Sequence, residues 1–425
     1  MTHPQPKLIR VTPRLGPTLS FKERDRRWAG LRHAMAEKDL DAVIVGSFQG
    51  RERLEGYLID DFLDSVVILP IEQDPVVLTF STARASRIFE SARRGFQPWV
   101  QDVRIGFGGA RVAEILREKG LRSRRVGLVG LSPTAGGEAE GLVPLGFYRN
   151  LTNALPGVEI DDFTGDLLDF IHLKSDEEIA LIRFAAEVSE QACIAMIESC
   201  QPGVSEAQVY ANILHEIHRW GCDARYPFLS LQSGPDNISW GAPRWTLRAE
   251  PPRVLQRGDL VQAEIHTLYG GQESQVQMSV ALGPVDEDVH LCETAARQAY
   301  EAGLKTIRPG IRFSDVFYAM ESPIEKAGCW SKTPLAHTMN YGAWGFTAAN
   351  RDQLIGTREE ALECGLGPEA LLLNIGMELK QGMAIELEPN ACLGMKRVDI
   401  GGMVLITANG SEELNKISTR VYHWN

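Results

Sequence analysis

Two strand-patterned runs, residues 260–269 and 272–282, meet at Gly270-Gly271, and no other stretch of the chain restricts the fold so tightly. Paired glycines accept the positive φ of a two-residue hairpin turn, so Leu268 is predicted to face Glu273, His266 to face Gln275 and Glu264 to face Gln277. Side chains alternate across a strand. Gln262, Glu264, His266, Glu273, Gln275, Gln277 and Ser279 therefore share one face, while Val261, Ala263, Ile265, Val276, Met278 and Val280 take the other. A face this polar is either open to solvent or a site, because buried amides and carboxylates demand partners or a ligand. Its place in the densest run of strand signals favours the site.

A chain of 425 residues exceeds the roughly 250–300 at which one core stops growing, so two domains are expected. Residues 31–38 read as helix, 42–45, 65–69 and 76–80 as strands, 111–119 as helix and 125–129 as strand, with a third helix near 141–146. That alternation implies a small α/β domain over residues 1–165. The second domain, 166–425, contains a capping box, Ser175 to Glu178, followed by Ile179, Ile182, Ala185, Val188, Ala192 and Met196 at helical spacing up to Pro202-Gly203. Residues 201–209 are echoed by 308–316, each after a long helix and before another helix and strands, so two similar halves about a pseudo-twofold are expected, with a site between them.

The second half supplies its own hairpin, residues 383–393 and 397–407, with a later turn at Asn409-Gly410. Glu386 and Glu388 share a face of its first strand, Asp399 follows on the return, and Gly401 and Gly402 are expected to leave open space there. Between the hairpins, residues 334–344 read as a loop whose His337, Tyr341 and Trp344 reach a pocket.

Composition removes several classes of function. With 44 Lys and Arg against 56 Asp and Glu, a net charge of -12 and no basic block, a nucleic-acid partner is not expected. No apolar run nears the roughly 20 residues that span a bilayer, and the N-terminus lacks a leader pattern, so a soluble, cytoplasmic protein is expected, without a membrane partner. Seven scattered cysteines without C-x-x-C spacing imply neither a disulfide framework nor a thiolate zinc site, and Cys193 and Cys200 read as core. Residues 106–109 lack the full dinucleotide fingerprint and read as a helix-capping loop, and His215 and His218, without H-E-x-x-H spacing, as helix surface.

Taken together, residues 171–183, 302–310, 382–389 and 404–407 resemble the pita-bread superfamily of methionine aminopeptidases, prolidases and creatinases, over nearly the whole chain. The resemblance implies an α+β fold: a small creatinase-like α/β N-terminal domain followed by a pseudo-twofold pita-bread catalytic domain. In the metallopeptidases of that superfamily two Asp, one His and two Glu hold two metal ions, and these positions fall on Glu264, Gln275, His337, Glu388 and Gly401. Gln275 is a weak neutral ligand and Gly401 none, whereas a dinuclear site needs bridging carboxylates. No metal and no cofactor are therefore expected, with a single ion on Glu264, His337 and Glu388 left open because three protein ligands suffice for some zinc sites.

Creatinases and ectoine hydrolases are similar metal-free C–N hydrolases. The creatinase catalytic His falls on Gly241, beside Trp240, and the N-domain Phe and Arg that hold creatine's carboxylate fall on Phe62 and Asp64, a reversal of charge. The hairpin Tyr and Glu of creatinase are replaced by Glu273 and Gln277. The resemblance and these departures together imply a metal-independent, Xaa-Pro-peptidase-like hydrolase cleaving an amide- or amidine-type C–N bond of a small nitrogenous compound. Glu388 or Glu264 is the expected nucleophile or general base and His337 the proton shuttle, with Gln275 and Gln277 orienting the scissile carbonyl. Phe62, Asp64, Trp240, Glu273, Tyr341 and Asp399 complete the expected substrate site, whose acids call for a small molecule with a cationic or donor-rich group. A homodimer is expected, the N-terminal domain closing a partner's site. The alternatives are a lyase resembling the dimethylsulfoniopropionate lyases and a catalytically inactive binding module.

Overall fold

The structure is a computed structural model and describes residues 5, 7–48, 53–61, 64–120, 124–133, 141–224, 229–332, 334–339 and 377–424. It has two compact units, one comprising Thr18–Glu177 and the other Glu178–Met339 with residues before Thr18 and from 377 onward. The units thus divide at Glu177, where sequence placed the division near 165.

In the first unit six strands, β1 (Ala42–Gly46), β2 (Ser65–Pro70), β3 (Val76–Thr79), β4 (Asp102–Ile105), β5 (Arg125–Leu128) and β6 (Glu159–Asp162), form one sheet in the order β4-β3-β2-β1-β5-β6. The β1–β2 and β2–β3 pairs are antiparallel and the others parallel. The central strands are continuous apolar runs because helices cover them, and Ile44, Val66, Ile68 and Leu78 pack with Val112 and Leu116 of helix Gly109–Lys119. The helix expected over 31–38 is the end of a longer one, Phe21–Glu37, whose cationic first turns hide its apolar period; Arg27 is fully buried there against Glu23 and the Tyr57 carbonyl. Helix Thr82–Arg93 has only Ala85 and Ile88 buried, too few to signal it in sequence. The helix expected near 141–146 is Leu145–Ala154, entered through Pro144, whose fixed φ suits an approach to a first turn.

The second unit repeats one element order. Helices Asp176–Ser199 and Glu206–Arg219 precede β7 (Ser230–Gly234), β8 (Leu260–Tyr269) and β9 (Gln272–Leu282); helices Glu287–Thr306 and Phe313–Lys326 precede β10 (Trp330–Lys332), β11 (Ala336–Thr338), β12 (Ala384–Leu387), β13 (Asn390–Leu393), β14 (Lys396–Asp399), β15 (Gly402–Thr407), β16 (Gly410–Glu413) and β17 (Tyr422–Trp424). Cys193 and Cys200 are fully buried in the first half's core, with Val209, Ile213 and Val261. Each half has its own apolar cluster.

The first hairpin has the register read from sequence, with Glu264 opposite Gln277, His266 opposite Gln275, and Gly270 and Gly271 at φ +55° and +79°. The second is one long hairpin broken in the middle. β12 pairs with β15 and β13 with β14 in one register, in which Glu388 would face Gly401. At this break Gly401 pairs instead with Gln277 of β9, through N–H···O contacts of 3.1 and 3.3 Å, which sets the two hairpins against each other.

Candidate active site

The polar face of the first hairpin is not solvated. Gln262, Glu264, His266, Glu273, Gln275, Gln277 and Ser279 are all buried, and opposite them lie His337, Glu386, Glu388, Arg397 and Asp399 from the second half, also buried. Of the site residues expected from sequence, Glu264, Gln275, Gln277, His337 and Glu388 are drawn into one hydrogen-bonded set, which Glu273 joins through His266 and Trp240 through its contact with Glu264.

Every carboxylate oxygen of Glu264 and Glu388 faces a nitrogen. Gln275 Nε2 donates to Glu264 Oε1 at 2.6 Å and to Glu388 Oε2 at 3.3 Å, and Gln277 Nε2 donates to the same Glu388 oxygen. The Trp240 indole N–H donates to Glu264 Oε2 although the ring is half-exposed. The loop carrying it is strapped down by Lys332, which donates to the Ile238 carbonyl at 2.6 Å, and by Lys396, on the Pro235 carbonyl at 2.8 Å.

Two histidines serve the two glutamates differently. His266, seen in the alternation but given no role from sequence, places Nδ1 2.7 Å from Glu273 Oε1 and Nε2 3.3 Å from Glu264 Oε1. Burial opposes its charge, yet the hydrogen bonds and negative charge of Glu264 and Glu273 outweigh it and raise its pKa to about 9, so it is an imidazolium at neutral pH. His337 places Nε2 3.3 Å from Glu388 Oε1 and Nδ1 2.7 Å from the Thr338 carbonyl. A carbonyl only accepts, so Nδ1 carries a proton and Nε2 is the atom that exchanges one with Glu388.

Burial lifts the carboxyls of Glu386, Glu388 and Asp399 above the usual carboxylate range. For Glu386 and Asp399 the rise is large: Glu388 and Glu264 add repulsion to both, and Arg397, 3.3 Å from Asp399 Oδ2, only partly offsets it for Asp399. Glu388 is raised less, because His337 and Gln277 stabilise its charged form. Glu386 shares its face with Glu388 in the sequence, but nothing in the alternation alone shows that it would be fully buried.

Other expectations meet the structure less well. Gly401 and Gly402 leave no open space: a Cβ on Gly401 would lie 2.1 Å from the Leu387 carbonyl oxygen, and one on Gly402 2.7 Å from Asn415 Cβ. Asp64 is not a lone negative charge, since it sits between Arg53 and Arg84 of its own unit, the latter at 2.9 Å. Gln275 spends both N–H groups on carboxylates and Gln277 one, and their Oε1 atoms find no hydrogen-bond donor among the described residues, so Gln275 has an acceptor to spare for a ligand N–H and no donor for a carbonyl, while Gln277 has one of each. Phe62, Tyr341 and Trp344 lie outside the described residues.

These residues do not fit a two-metal centre. The fifth ligand position, Gly401, is sterically closed, and the lone pairs a cation would take on Glu264 and Glu388 point at N–H groups. Nor do the ligand atoms of Glu264, His337 and Glu388 converge within 4.8 Å; among the described residues only His290, Glu293 and His423 do so.

Two opposed hairpins built from halves with the same element order define the pita-bread catalytic domain. The chain belongs to metallopeptidase family M24, whose model matches residues 180–408, and the creatinase/prolidase N-terminal domain matches 27–170. Membership places it among the hydrolases of the creatinase and M24 superfamily. A creatinase from Bacillus sp. (strain B-0618) is 25% identical over 418 residues, covering 94% of this chain and 92% of its own. An Xaa-Pro dipeptidase of Pyrococcus horikoshii is 23% identical over 287 residues, 65% of this chain and 72% of that one. The fold is that of the X-Pro aminopeptidase from Thermotoga maritima, with a TM-score of 0.73 at 16% identity over 93% of this chain and 99% of that one. Among the described residues no helix is long and apolar enough to cross a membrane.

Proposed function

We propose that this protein hydrolyses a C–N bond of a small nitrogen-rich compound by proton transfers among its own carboxyl and imidazole groups, with no metal ion in the reaction. The observation that carries this is the occupation of all the Glu264 and Glu388 oxygens by nitrogen partners. His337 and Glu388 are the reacting pair. Glu388 or His337 Nε2 takes a proton from water as its oxygen bonds to the substrate carbon, and the pair returns a proton to the departing nitrogen as the C–N bond breaks. A carboxyl raised toward neutrality and an imidazole beside it suit that exchange.

The substrate class is set by a surplus of acceptors. Gln275 Oε1, Gln277 Oε1 and Glu273 Oε2 are buried and find no donor among the described residues. Buried acceptors left so are costly, and a guanidine-, amidine- or amide-type ligand brings the N–H groups that relieve them. The test is amine or ammonia release from matched guanidino, amidine and amide compounds, measured before and after dialysis against a chelator. Turnover that survives dialysis is expected. Activity lost on chelation and restored by a divalent ion overturns the metal-free chemistry, and binding without release from any compound overturns the hydrolase reading.

A further inference from the structure

Outside this site a second constellation has metal-ligand chemistry. His290 and Glu293, three residues apart, share a face of helix Glu287–Thr306, and β17 brings His423 to them by pairing in parallel with β9, His423 opposite Ala281. His423 Nε2 lies 2.9 and 3.1 Å from the two Glu293 oxygens, and His290 Nδ1 lies 3.6 Å from Glu293 Oε2. One ligand atom from each residue falls within 4.8 Å of the others. The imidazole rings stack at 22°, with centroids 5.5 Å apart.

We propose that His290, Glu293 and His423 form a binding site for a borderline divalent cation, Zn²⁺, with water in the remaining position. Tetrahedral bonds of about 2.0–2.1 Å set neighbouring ligand atoms roughly 3.3 Å apart, and the 2.9 and 3.6 Å separations bracket that edge. Two imidazoles and one carboxylate are a zinc donor set, whereas Mg²⁺ and Ca²⁺ seek more oxygen ligands than this group offers. Without an ion, His423 and Glu293 are merely hydrogen-bonded and His290 contributes little; with one, the last strand is fastened to the helix. β17 pairs with β9 at Val280, Ala281 and Leu282, past Gln275 and Gln277, and the three ligands are not members of the active-site set, so the ion's role is to stabilise the unit and not to take part in catalysis.

The full-length protein, stripped with chelator, is titrated with Zn²⁺ against a chromophoric competitor, with Mg²⁺ in parallel. One equivalent of Zn²⁺ is expected, with a raised melting temperature. His290→Ala and His423→Ala should each weaken binding at least about tenfold, the cost typical of disturbing a metal site's shell. His290 is the clean variant, because its side chain is 52% exposed and its loss leaves the His423–Glu293 contact in place. Wild-type Zn²⁺ affinity in both variants, Mg²⁺ binding as tight as Zn²⁺, or no Zn²⁺ binding overturns the proposal. Because the ion would lie outside the candidate active site, its removal by His290→Ala should leave turnover unchanged, and a loss of turnover counts against the non-catalytic role assigned to it.

Discussion

The first hairpin and the second hold their acids by different means. Between Glu264 and Glu273 lies His266, charged up to about pH 9, a fixed cation doing what a metal ion does elsewhere: neutralising buried carboxylates. In the second, burial favours the protonated forms of Glu386 and Asp399, and Glu388, also raised, faces His337 Nε2 at 3.3 Å. The first half is therefore electrostatically set at working pH and the second is poised to titrate. In a pseudo-twofold built from like elements, this assigns architecture to one half and proton chemistry to the other.

The largest effect should come from the titrating half. Glu388→Gln keeps the side chain's shape but removes the exchangeable proton, and kcat should fall roughly 10²–10⁴-fold, the span of acid–base roles, with little change in melting temperature. His337→Ala should match it in kcat and lose stability as well, because the ring is buried. Turnover at the wild-type level in Glu388→Gln would reverse the assignment of the halves.

Substitution in the fixed half should read out as stability first. His266→Gln leaves two buried carboxylates without their cation, a loss of about 3–5 kcal/mol for breaking such a group, measured by urea unfolding. The pH dependence carries a sign. His266 has a folded pKa of about 9 against 6.5 for the free side chain, so its stabilisation is complete below pH 6.5 and is lost as pH rises through 9. Over that window the shift corresponds to about 3 kcal/mol. Glu386 and Asp399 act in the same direction, since raised carboxyl pKa values favour the fold at acid pH and oppose it once the unfolded chain ionises. In His266→Gln the decline between pH 6.5 and 9 should become shallower by the His266 share, leaving the part that Glu386 and Asp399 contribute; if its slope is unchanged, His266 is not the fixed cation.

This division was only half legible in the sequence. The first hairpin could be read to the residue, because a Gly-Gly turn and strict alternation leave one register in which its apolar side chains face the core. The second could not, since its break at Glu388 and Gly401 is a tertiary event: Gly401 gives up its hairpin partner for Gln277 of β9. Local pattern carries no trace of that exchange, so the glycine reads as open space where the backbone is in fact crowded. His266 shows the converse. Its position was legible, but its charge depends on lying between Glu264 and Glu273, a matter of side-chain geometry. Asp64 likewise reads as a bare acid until Arg53 and Arg84 are seen around it.

Crowding at Gly401 gives the next test. Gly401→Ala places a methyl against the Leu387 carbonyl and should cost about 1–3 kcal/mol or more, as overpacking does. Gly401→Glu, which restores the superfamily's ligand type, should lose at least as much and gain no metal in the active site. A stable Gly401→Glu protein that binds an additional divalent ion would show that the site had lost its metal for want of one side chain and not because its remaining oxygens are committed to N–H donors.

The smallest effect should come from Trp240, the one member of the hydrogen-bonded set that is half-exposed. Trp240→Phe keeps an aromatic ring on the strapped loop and deletes only the indole donor to Glu264. A surface-facing ring contributes little to the core, so unfolding free energy should stay within about 0.5 kcal/mol of wild type. Glu264 retains Gln275 and His266, so its position should hold as well. What changes is one donor to an acid of the fixed half, and the comparison of halves predicts a KM shift of a few fold with kcat nearly constant. Had Glu264 been the proton-exchanging acid, losing a donor would raise its proton affinity and move the pH profile of kcat. A displaced kcat profile in Trp240→Phe, with the Glu388→Gln protein still active, would transfer the chemistry to the first hairpin.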